Sequence, residues 1–291
     1  MTLIHERTFR VRHYECDSYG HVNHANYLRY MQETAFDASA AVGYNVTRYH
    51  QINRTWLVRE SDITYQVPLS YGDSVTVKTW NSDMRKIRAR REYDLRRDSD
   101  GQRVARGHTD WIFLETDTLR PVAIPPEVID AFFPGSLPEE KPVRERFPKA
   151  PPPPPGVFRL RRRVDWRDID PAQHVNNANY LAYIEDCGVE VAAAYGWPMT
   201  RMMDEGFGIV ARRFRIEYRQ AAVLGDTLEI ATYLSDAKRA TAVRHYAIHR
   251  ISDGELIAQA RALWVWVDIG SGRPMRIPPG FLDEFRDNIV D

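Results

Sequence analysis

The sequence has few cysteines and no long hydrophobic run. Cys16 and Cys187 are its two cysteines in 291 residues, which excludes a disulfide framework and a zinc site built from cysteines and favours a reducing compartment. No apolar stretch approaches the length that crosses a bilayer, and the N-terminal residues MTLIHERTFRV lack the apolar core of a signal peptide. The sequence therefore predicts a soluble, cytoplasmic protein.

An excess of charge of either sign is also missing. The 40 Lys and Arg residues balance the 40 Asp and Glu residues, so the formal net charge is +0. This balance gives no reason to expect a nucleic acid or an anionic membrane as a partner. Hydrophobic residues make up 43% and charged residues 27%, as in ordinary globular proteins. The length suits two domains of about 140 residues each.

What the sequence does contain is one polar passage that occurs twice. DSYGHVNHANYLRYM begins at Asp17, and DPAQHVNNANYLAYI begins at Asp170, 153 positions later. The same offset holds without a gap from Val11/Val164 to Phe132/Phe285. The chain is therefore two copies of one domain, which we place at residues 1–134 and 157–291. Residues 135–156 between them contain five consecutive prolines and predict an extended linker.

Each copy has the same predicted order of elements. A first strand (Thr8–Tyr14 and Phe158–Trp166) leads into the polar passage, and a helix with apolar residues at three- and four-residue spacing then ends near Gly43 and Gly196. Four strands follow, with the turn sequences DSDG and ISDG between the last two. One helix against an antiparallel sheet predicts the α+β class. Because the helix is apolar on most sides, we expect a curved sheet around it.

The repeated passage resembles a motif of a known family. ECDSYGHVNHANYLRYM looks like the motif of the 4-hydroxybenzoyl-CoA thioesterase family, which has the hotdog fold, and DPAQHVNNANY is similar to a Q-H-V-N-N passage of plant-type acyl-ACP thioesterases, which are tandem hotdogs. The resemblance implies two tandem hotdog domains, each a curved antiparallel sheet around a central helix, paired as a pseudo-dimer with sites at the junction. It also implies hydrolysis of acyl thioesters of CoA or acyl carrier protein (ACP).

The polar residues of the passage suit this reaction. The dipole of a following helix favours an ionised aspartate, and an ionised carboxylate can attack a thioester carbonyl or activate a water. By the resemblance, the oxyanion donor is the backbone N–H seven residues after the aspartate, that of His24 or Asn177. The candidate catalytic side chains recur in both copies: Asp17, His21 and Asn23, and Asp170, His174 and Asn176.

The second copy departs from the motif. Gln173 stands where the first copy has Gly20, Ala172 stands where the plant motif has Asn, and Ala221 falls near the position of a catalytic Glu in the plant enzymes. We therefore expect Asp17 to be the working carboxylate and Asp170 the second one, with both sites able to be active.

Several motif residues also have structural interpretations. Asp17 could simply cap the helix, and the two histidines could pack within the loop and bond its backbone. Asn26 and Tyr27, with Asn179 and Tyr180 in the second copy, are expected to bond the loop and fill the core. The position of Cys16 is occupied by Ile169 in the second copy, so we expect Cys16 to be a small buried apolar residue rather than a nucleophile.

Asp17, His21 and His24 form a candidate set of metal ligands. The second copy has Asn177 in place of His24 and no replacement carboxylate at a matching spacing. We therefore predict no metal and no cofactor.

A basic pair recurs at one strand turn in each copy. Arg85 and Lys86 match Lys238 and Arg239, and cationic side chains at equivalent places could hold the phosphates of CoA. The alternative is an ordinary solvated strand face.

Two functions other than hydrolysis stay open on the same fold. One is a hydratase or dehydratase of acyl thioesters, which uses a His and an acidic residue to move protons. The other is a non-catalytic module that binds acyl thioesters. The predicted partner is an acyl-CoA or an acyl-ACP thioester, with no nucleic acid and no membrane. The chain is expected to be a monomeric pseudo-dimer, with a homodimer or a higher assembly left open.

Overall fold

The computed structural model describes residues 3–290 and divides into two compact units, with the boundary between Arg146 and Phe147. This boundary falls within the segment predicted as a linker. In the described part of the chain, no helix combines the length and the apolar character needed to cross a membrane.

The first unit contains one long helix, two short helices and a five-stranded sheet. Its elements are β1 Ile4–Arg10, α1 His24–Ala41, α2 Val46–Gln51, β2 Arg54–Tyr65, β3 Ser74–Arg85, β4 Arg88–Arg97, β5 Arg103–Glu115 and α3 Pro126–Phe132. The strand order is β1-β3-β4-β5-β2, and every pair is antiparallel.

The second unit repeats this order and adds a short last strand. Its elements are β6 Phe158–Arg163, α4 Asn177–Ala194, α5 Met199–Asp204, β7 Phe207–Tyr218, β8 Thr227–Ser235, β9 Thr241–Arg250, β10 Leu256–Asp268, α6 Pro279–Glu284 and β11 Ile289–Val290. The order β7-β10-β9-β8 is antiparallel. One edge of β8 pairs with β6 antiparallel and then with β11 parallel.

The long helix of each unit begins and ends where the sequence predicts. Asn23 caps α1, because its side-chain oxygen accepts a hydrogen bond from the Ala25 amide at 3.0 Å. Gly43 follows the helix with φ +86°, a left-handed conformation that glycine adopts without strain. The helix buries Tyr27, Leu28 and Met31 and packs against β1 and β3. The antiparallel sheet and single long helix confirm the predicted α+β class.

The first strand of each unit ends earlier than predicted. β1 ends at Arg10 and β6 at Arg163, and a single 3-10 turn follows each of them. In the first unit the Glu15 carboxylate accepts a hydrogen bond from the Arg12 amide at 2.7 Å. This bond draws the chain out of the sheet before Tyr14, so the predicted ranges Thr8–Tyr14 and Phe158–Trp166 were wrong at their C-terminal ends. The first range was also wrong at its start, because β1 begins at Ile4. The short helices α2 and α5 were not predicted, since six residues carry too little periodicity.

The proline-rich segment is held by side chains along its length. On the first unit, Arg85 donates to the Pro138 carbonyl, and Arg144 forms ion pairs with Asp83 at 2.9 Å and with Asp110 at 3.4 Å. On the second unit, the Tyr233 hydroxyl donates to the Pro151 carbonyl. The segment is therefore attached to the folded units by side chains rather than free.

Candidate active site

The first polar passage forms a tight loop around the Asp17 carboxylate. One oxygen of that carboxylate accepts hydrogen bonds from the backbone amides of Tyr19 at 2.9 Å and His21 at 3.2 Å. The Asp17 amide in turn donates to the His21 carbonyl at 2.8 Å. The loop is joined to the sheet, because the Val22 amide donates to the Leu69 carbonyl at 2.8 Å just before β3. The backbone of the loop therefore fixes one oxygen of the carboxylate.

The second passage holds Asp170 in the same way. One carboxylate oxygen accepts from the Ala172 amide at 2.9 Å, and the Asp170 amide donates to the His174 carbonyl at 3.0 Å. The other oxygen accepts from the Asn176 side-chain nitrogen at 3.2 Å. The structure thus brings Asp170, His174 and Asn176 together at the start of α4.

The two asparagines, and not the aspartates, cap the long helices. Asn176 accepts from the Ala178 amide at 3.0 Å through its side-chain oxygen, while its side-chain nitrogen donates to Asp170. Asn23 makes the matching cap on α1. The alternative interpretation of Asp17 as the helix cap was therefore wrong. The cap places one amide side chain between the Asp170 carboxylate and the first turn of α4.

The residues predicted to donate to an oxyanion are the first residues of the helices. His24 begins α1 and Asn177 begins α4, and first-turn amides lack an acceptor within the helix. The His24 ring packs edge-on against Tyr65, with 4.9 Å between centroids, and the Asn177 carbonyl accepts from the Tyr218 hydroxyl at 3.0 Å. Both residues are half-buried, so the helix starts are close to the surface.

The His174 ring lies beside the carboxylate without a close hydrogen bond to it. Its Nδ1 is 3.9 Å from an Asp170 oxygen and 3.3 Å from the Val175 carbonyl. Both His174 and its counterpart His21 are half-buried. A ring at this distance can reach the carboxylate through one water or a small rotation.

Sequence reasoning missed a buried carboxylate beneath each loop. Glu15 and Asp168 are matching residues, and each is 6% exposed. The Glu15 carboxylate accepts from the Tyr30 hydroxyl at 2.7 Å, and its carbonyl accepts from the Asn23 amide at 2.9 Å and from the Asn26 side chain at 2.8 Å. Glu15 thereby joins the helix start to the loop. An acid at matching positions next to the motif was the available signal.

The second unit repeats this support through backbone groups. The Asp168 carbonyl accepts from the Asn176 amide at 2.9 Å and from the Asn179 side chain at 3.0 Å. The Tyr180 hydroxyl accepts from the Ala222 amide at 3.2 Å, as Tyr27 does from the Leu69 amide. Burial raises the pKa of Tyr180 to about 12, so this hydroxyl stays protonated. Asn179 and Tyr180 therefore serve the loop and the core.

Cys16 is half-buried rather than buried as expected, and it is a free thiol. Burial and then the neighbouring Asp17 carboxylate raise the pKa of its thiol. A protonated thiol is a weak nucleophile, so this position carries no sign of a catalytic cysteine.

One difference between the loops concerns the backbone. Gly20 has φ +77° and Gln173 has φ +64°. The same left-handed conformation is therefore kept in both copies, although it is strained for glutamine. The two loops therefore have the same backbone conformation at this position, although one has glycine and the other glutamine.

The predicted phosphate-binding pairs lie far from the loop of their own unit. The Asp17 loop pairs with Ser70, shortly before β3, whereas Arg85 and Lys86 lie at the far end of that strand, and the 11 steps of about 3.3 Å along β3 give roughly 36 Å. Arg85 is occupied by Asp83 at 3.0 Å and by the linker. Lys238 and Arg239 are exposed beyond β8.

Among the described residues, one group has a spacing that would suit a metal ion. The ligand atoms of Glu60, Asp62 and His108 lie within 4.8 Å of one another on β2 and β5. Burial, followed by the charge of Arg90, lowers the pKa of His108, which leaves its imidazole neutral. Glu60 and Asp62 both have other interactions, so their burial does not require a metal. The candidate set of Asp17, His21 and His24 does not appear among such groups in the described residues.

Comparison with known proteins places each unit in a family. Residues 2–132 match the model of the acyl-ACP thioesterase N-terminal domain, and residues 164–285 match the model of the thioesterase-like superfamily. The chain is 24% identical over 273 residues to a chloroplastic palmitoyl-acyl carrier protein thioesterase of Arabidopsis thaliana, covering 90% of this chain and 64% of that protein. The chain thus spans less than two thirds of the length of this plant relative.

Two further comparisons cover one and both units. Acyl-CoA thioester hydrolase YbgC of Escherichia coli O157:H7 is 28% identical over 130 residues, which are 45% of this chain and 96% of that protein. The solved structure of the 12:0-ACP thioesterase from Umbellularia californica matches with a TM-score of 0.71 and 20% identity, over 90% of this chain and 93% of that one. That likeness shows the fold, two hotdog domains in one chain. The first unit therefore matches the acyl-ACP thioesterase N-terminal domains and the second the thioesterase-like superfamily, in a chain with the tandem hotdog fold.

Proposed function

We propose that the chain hydrolyses acyl thioesters of CoA or ACP to the free acid and the thiol. The observation that carries the proposal is the repeated loop, which fixes a carboxylate by backbone amides and sets it beside the capped start of a long helix. The plant relative and the bacterial relative, each named for this type of hydrolysis, support it.

The reaction needs three groups at one thioester. The Asp17 or Asp170 carboxylate removes a proton from water, whose oxygen then adds to the carbonyl carbon. Alternatively the carboxylate itself adds to that carbon, loss of the thiolate leaves an anhydride, and water then cleaves the anhydride to the free acid and restores the carboxylate. The developing oxyanion is stabilised by the first-turn amide of His24 or Asn177. The carbon–sulfur bond then breaks, and the thiolate leaves and takes up a proton. His21 or His174 can hold the attacking water.

The remaining residues have supporting roles. Asn23 and Asn176 cap the helices, and Asn176 orients Asp170 through its side-chain nitrogen. Lys238 and Arg239 are exposed and suit the phosphates of CoA or the acidic surface of a carrier. In the first unit Arg85 is already paired with Asp83, which leaves Lys86 as the remaining cation of that pair. The free cysteines fit a reducing cytosol, and a single-chain pseudo-dimer is the proposed assembly.

The test is thiol release from matched acyl-CoA and acyl-ACP substrates over a series of chain lengths. We expect stoichiometric free acid and thiol from at least one series, and the ratio of kcat/KM between the two carriers then identifies the preferred one. Loss of enoyl absorbance without thiol would show a hydratase instead. Tight binding without either product would show a non-catalytic module and would contradict the proposal.

A further inference from the structure

Each unit carries a buried arginine on a strand of its sheet. Arg91 on β4 and Arg244 on β9 are matching residues, and each is 6% exposed. Arg91 lies 3.5 Å from the Thr79 hydroxyl and over the Phe132 ring. Arg244 lies 3.4 Å from the Asn288 side-chain oxygen and over a phenyl ring. Between residues 3 and 290, no carboxylate pairs with either guanidinium, so both keep unused N–H donors.

A tyrosine follows each arginine by two residues, and the surroundings of its hydroxyl differ between the units. The Tyr93 hydroxyl in the first unit bonds the Thr109 hydroxyl at 3.1 Å. The matching position to Thr109 in the second unit is Ala262, which cannot bond a hydroxyl. The Tyr246 hydroxyl is buried, and within the described chain no acceptor takes its proton; the Trp264 indole, which can only donate, lies near its oxygen. The second unit thus has two neighbouring buried groups with unused donors.

The long helix α4 has a glycine at the point where it faces the Tyr246 hydroxyl. A Cβ atom built on Gly188 of α4 would lie 3.5 Å from the Tyr246 hydroxyl oxygen. The first unit has Ala35 at this position, buried in the core. Glycine is among the poorest helix formers in a helix interior. Its place here leaves out a methyl group that would contact the hydroxyl.

The position along the helix connects this pair to the candidate active site. Gly188 follows Asn177, the first residue of α4, by 11 residues, or about 16 Å at 1.5 Å a residue. An acyl chain whose carbonyl lies at the Asn177 amide and which runs along α4 would bring its far end to Arg244 and Tyr246.

We propose that Arg244 and Tyr246 bind an oxygen-bearing far end of the acyl group, a carboxylate above all. The enzyme would then favour thioesters of dicarboxylic acids over plain fatty acyl thioesters of equal length. Both groups are donors, and a guanidinium suits a carboxylate in geometry and charge. A methyl end would leave both buried donors without partners, which is unfavourable. This inference rests on the proposed function.

The first experiment compares kcat/KM for CoA thioesters of straight-chain dicarboxylic acids with those of monocarboxylic acids of the same carbon number. We expect the wild-type protein to favour the dicarboxylic series by about tenfold or more at one chain length. Arg244→Met should remove that preference. The matched variant Arg91→Met in the first unit should keep it.

A second pair of variants separates recognition from folding. Gly188→Ala and Ala262→Thr give the second unit the residues of the first, so that a methyl covers the Tyr246 hydroxyl or a new hydroxyl bonds it. We expect either variant to reduce the preference several-fold. Gly188→Ala should at the same time keep or raise Tm, because alanine favours the helix. A reduced preference in a more stable protein cannot be attributed to unfolding.

The outcomes separate this inference from the proposed function. If no thioester is hydrolysed, the proposed function is wrong, and binding tests the inference alone: the free dicarboxylic acid should raise Tm of the wild type but not of Arg244→Met. Absence of that difference would overturn the inference. So would equal or better hydrolysis of the plain series at every length, or equal effects of both arginine variants on both series, which would make Arg244 a structural cation.

Discussion

At the scale of single residues, the site depends on a carboxylate that does no chemistry. Glu15 is buried and accepts hydrogen bonds from the Arg12 amide and the Tyr30 hydroxyl, while its backbone carbonyl holds Asn23 and Asn26. The carboxylate and carbonyl together join the first turn, the helix cap and the helix. Glu15 is therefore a positioning residue for Asp17 rather than a partner of the substrate.

Replacement of Glu15 by glutamine should weaken this support. Both donors bond the same carboxylate oxygen, which an amide oxygen can replace only as a neutral and weaker acceptor, while the amide nitrogen would face the Arg12 guanidinium. We therefore expect loss of about 1–2 kcal/mol in the free energy of unfolding and a lower kcat with KM nearly unchanged. Chemical denaturation and steady-state kinetics measure the two effects. Glu33→Gln, on the exposed side of α1, is the matched control. Unchanged kcat in Glu15→Gln would remove the positioning role.

At the scale of elements, one side chain at the N-terminus of α4 both caps the helix and bonds the candidate catalytic carboxylate. Asn176 caps the helix with its oxygen and orients Asp170 with its nitrogen. Asn176→Asp keeps a good cap but replaces the donor by a second carboxylate, so Tm should change little while activity at the second site falls. Asn176→Ala should lose about 1 kcal/mol of stability as well as activity. Tm and thiol release on both variants test this separation, and equal Tm values would contradict the cap.

Strand β9 contains a histidine that packs against β8 and should make stability depend on pH. His245 is buried, stacks on Tyr233 and contacts the Ser235 hydroxyl at 2.8 Å. Burial and then the charge of Arg261 lower its pKa from 6.5 to about 4, although Asp236 acts in the opposite direction.

Between these two pKa values the unfolded chain binds a proton that the folded protein does not. The free energy of unfolding should therefore fall as the pH is lowered from 6.5 to about 4, by about 2–3 kcal/mol from this residue, and His245 should have no effect above that window. Denaturation at pH 7, 5.5 and 4.5 should show a shallower fall in His245→Gln than in the surface control His50→Gln. Equal slopes would exclude this source of acid sensitivity.

The same elements show what the sequence could and could not predict. Both long helices were predicted because apolar spacing and a terminal glycine agree locally, whereas the capping role of Asn23 and Asn176 was not predicted. The early end of β1 depends on the hydrogen bond from Arg12 to Glu15, a side-chain contact that periodicity does not carry. The surroundings of the Tyr246 hydroxyl depend on which residues of β10 lie next to it, and this register cannot be read from the sequence alone.

At the scale of the whole molecule, the offset of 153 residues was the strongest signal, because one internal alignment predicted the domain number, the fold class and the paired loops. The linker was less predictable. Its composition indicates an extended spacer, but its attachment depends on long-range contacts, such as Arg144 with Asp83 and Tyr233 with Pro151. Repetition also shows where the copies diverge, as at Gly20 and Gln173, or Ala35 and Gly188.

The central claim is that the repeated loops hydrolyse acyl thioesters through Asp17, Asp170 or both. The direct measurement is kcat/KM for thiol release in Asp17→Asn, Asp170→Asn and the double variant, with Tm recorded to confirm folding. We expect the double variant to lose at least about a hundredfold, with the larger single effect in Asp17→Asn. Turnover close to that of the wild type in a folded double variant would contradict the account.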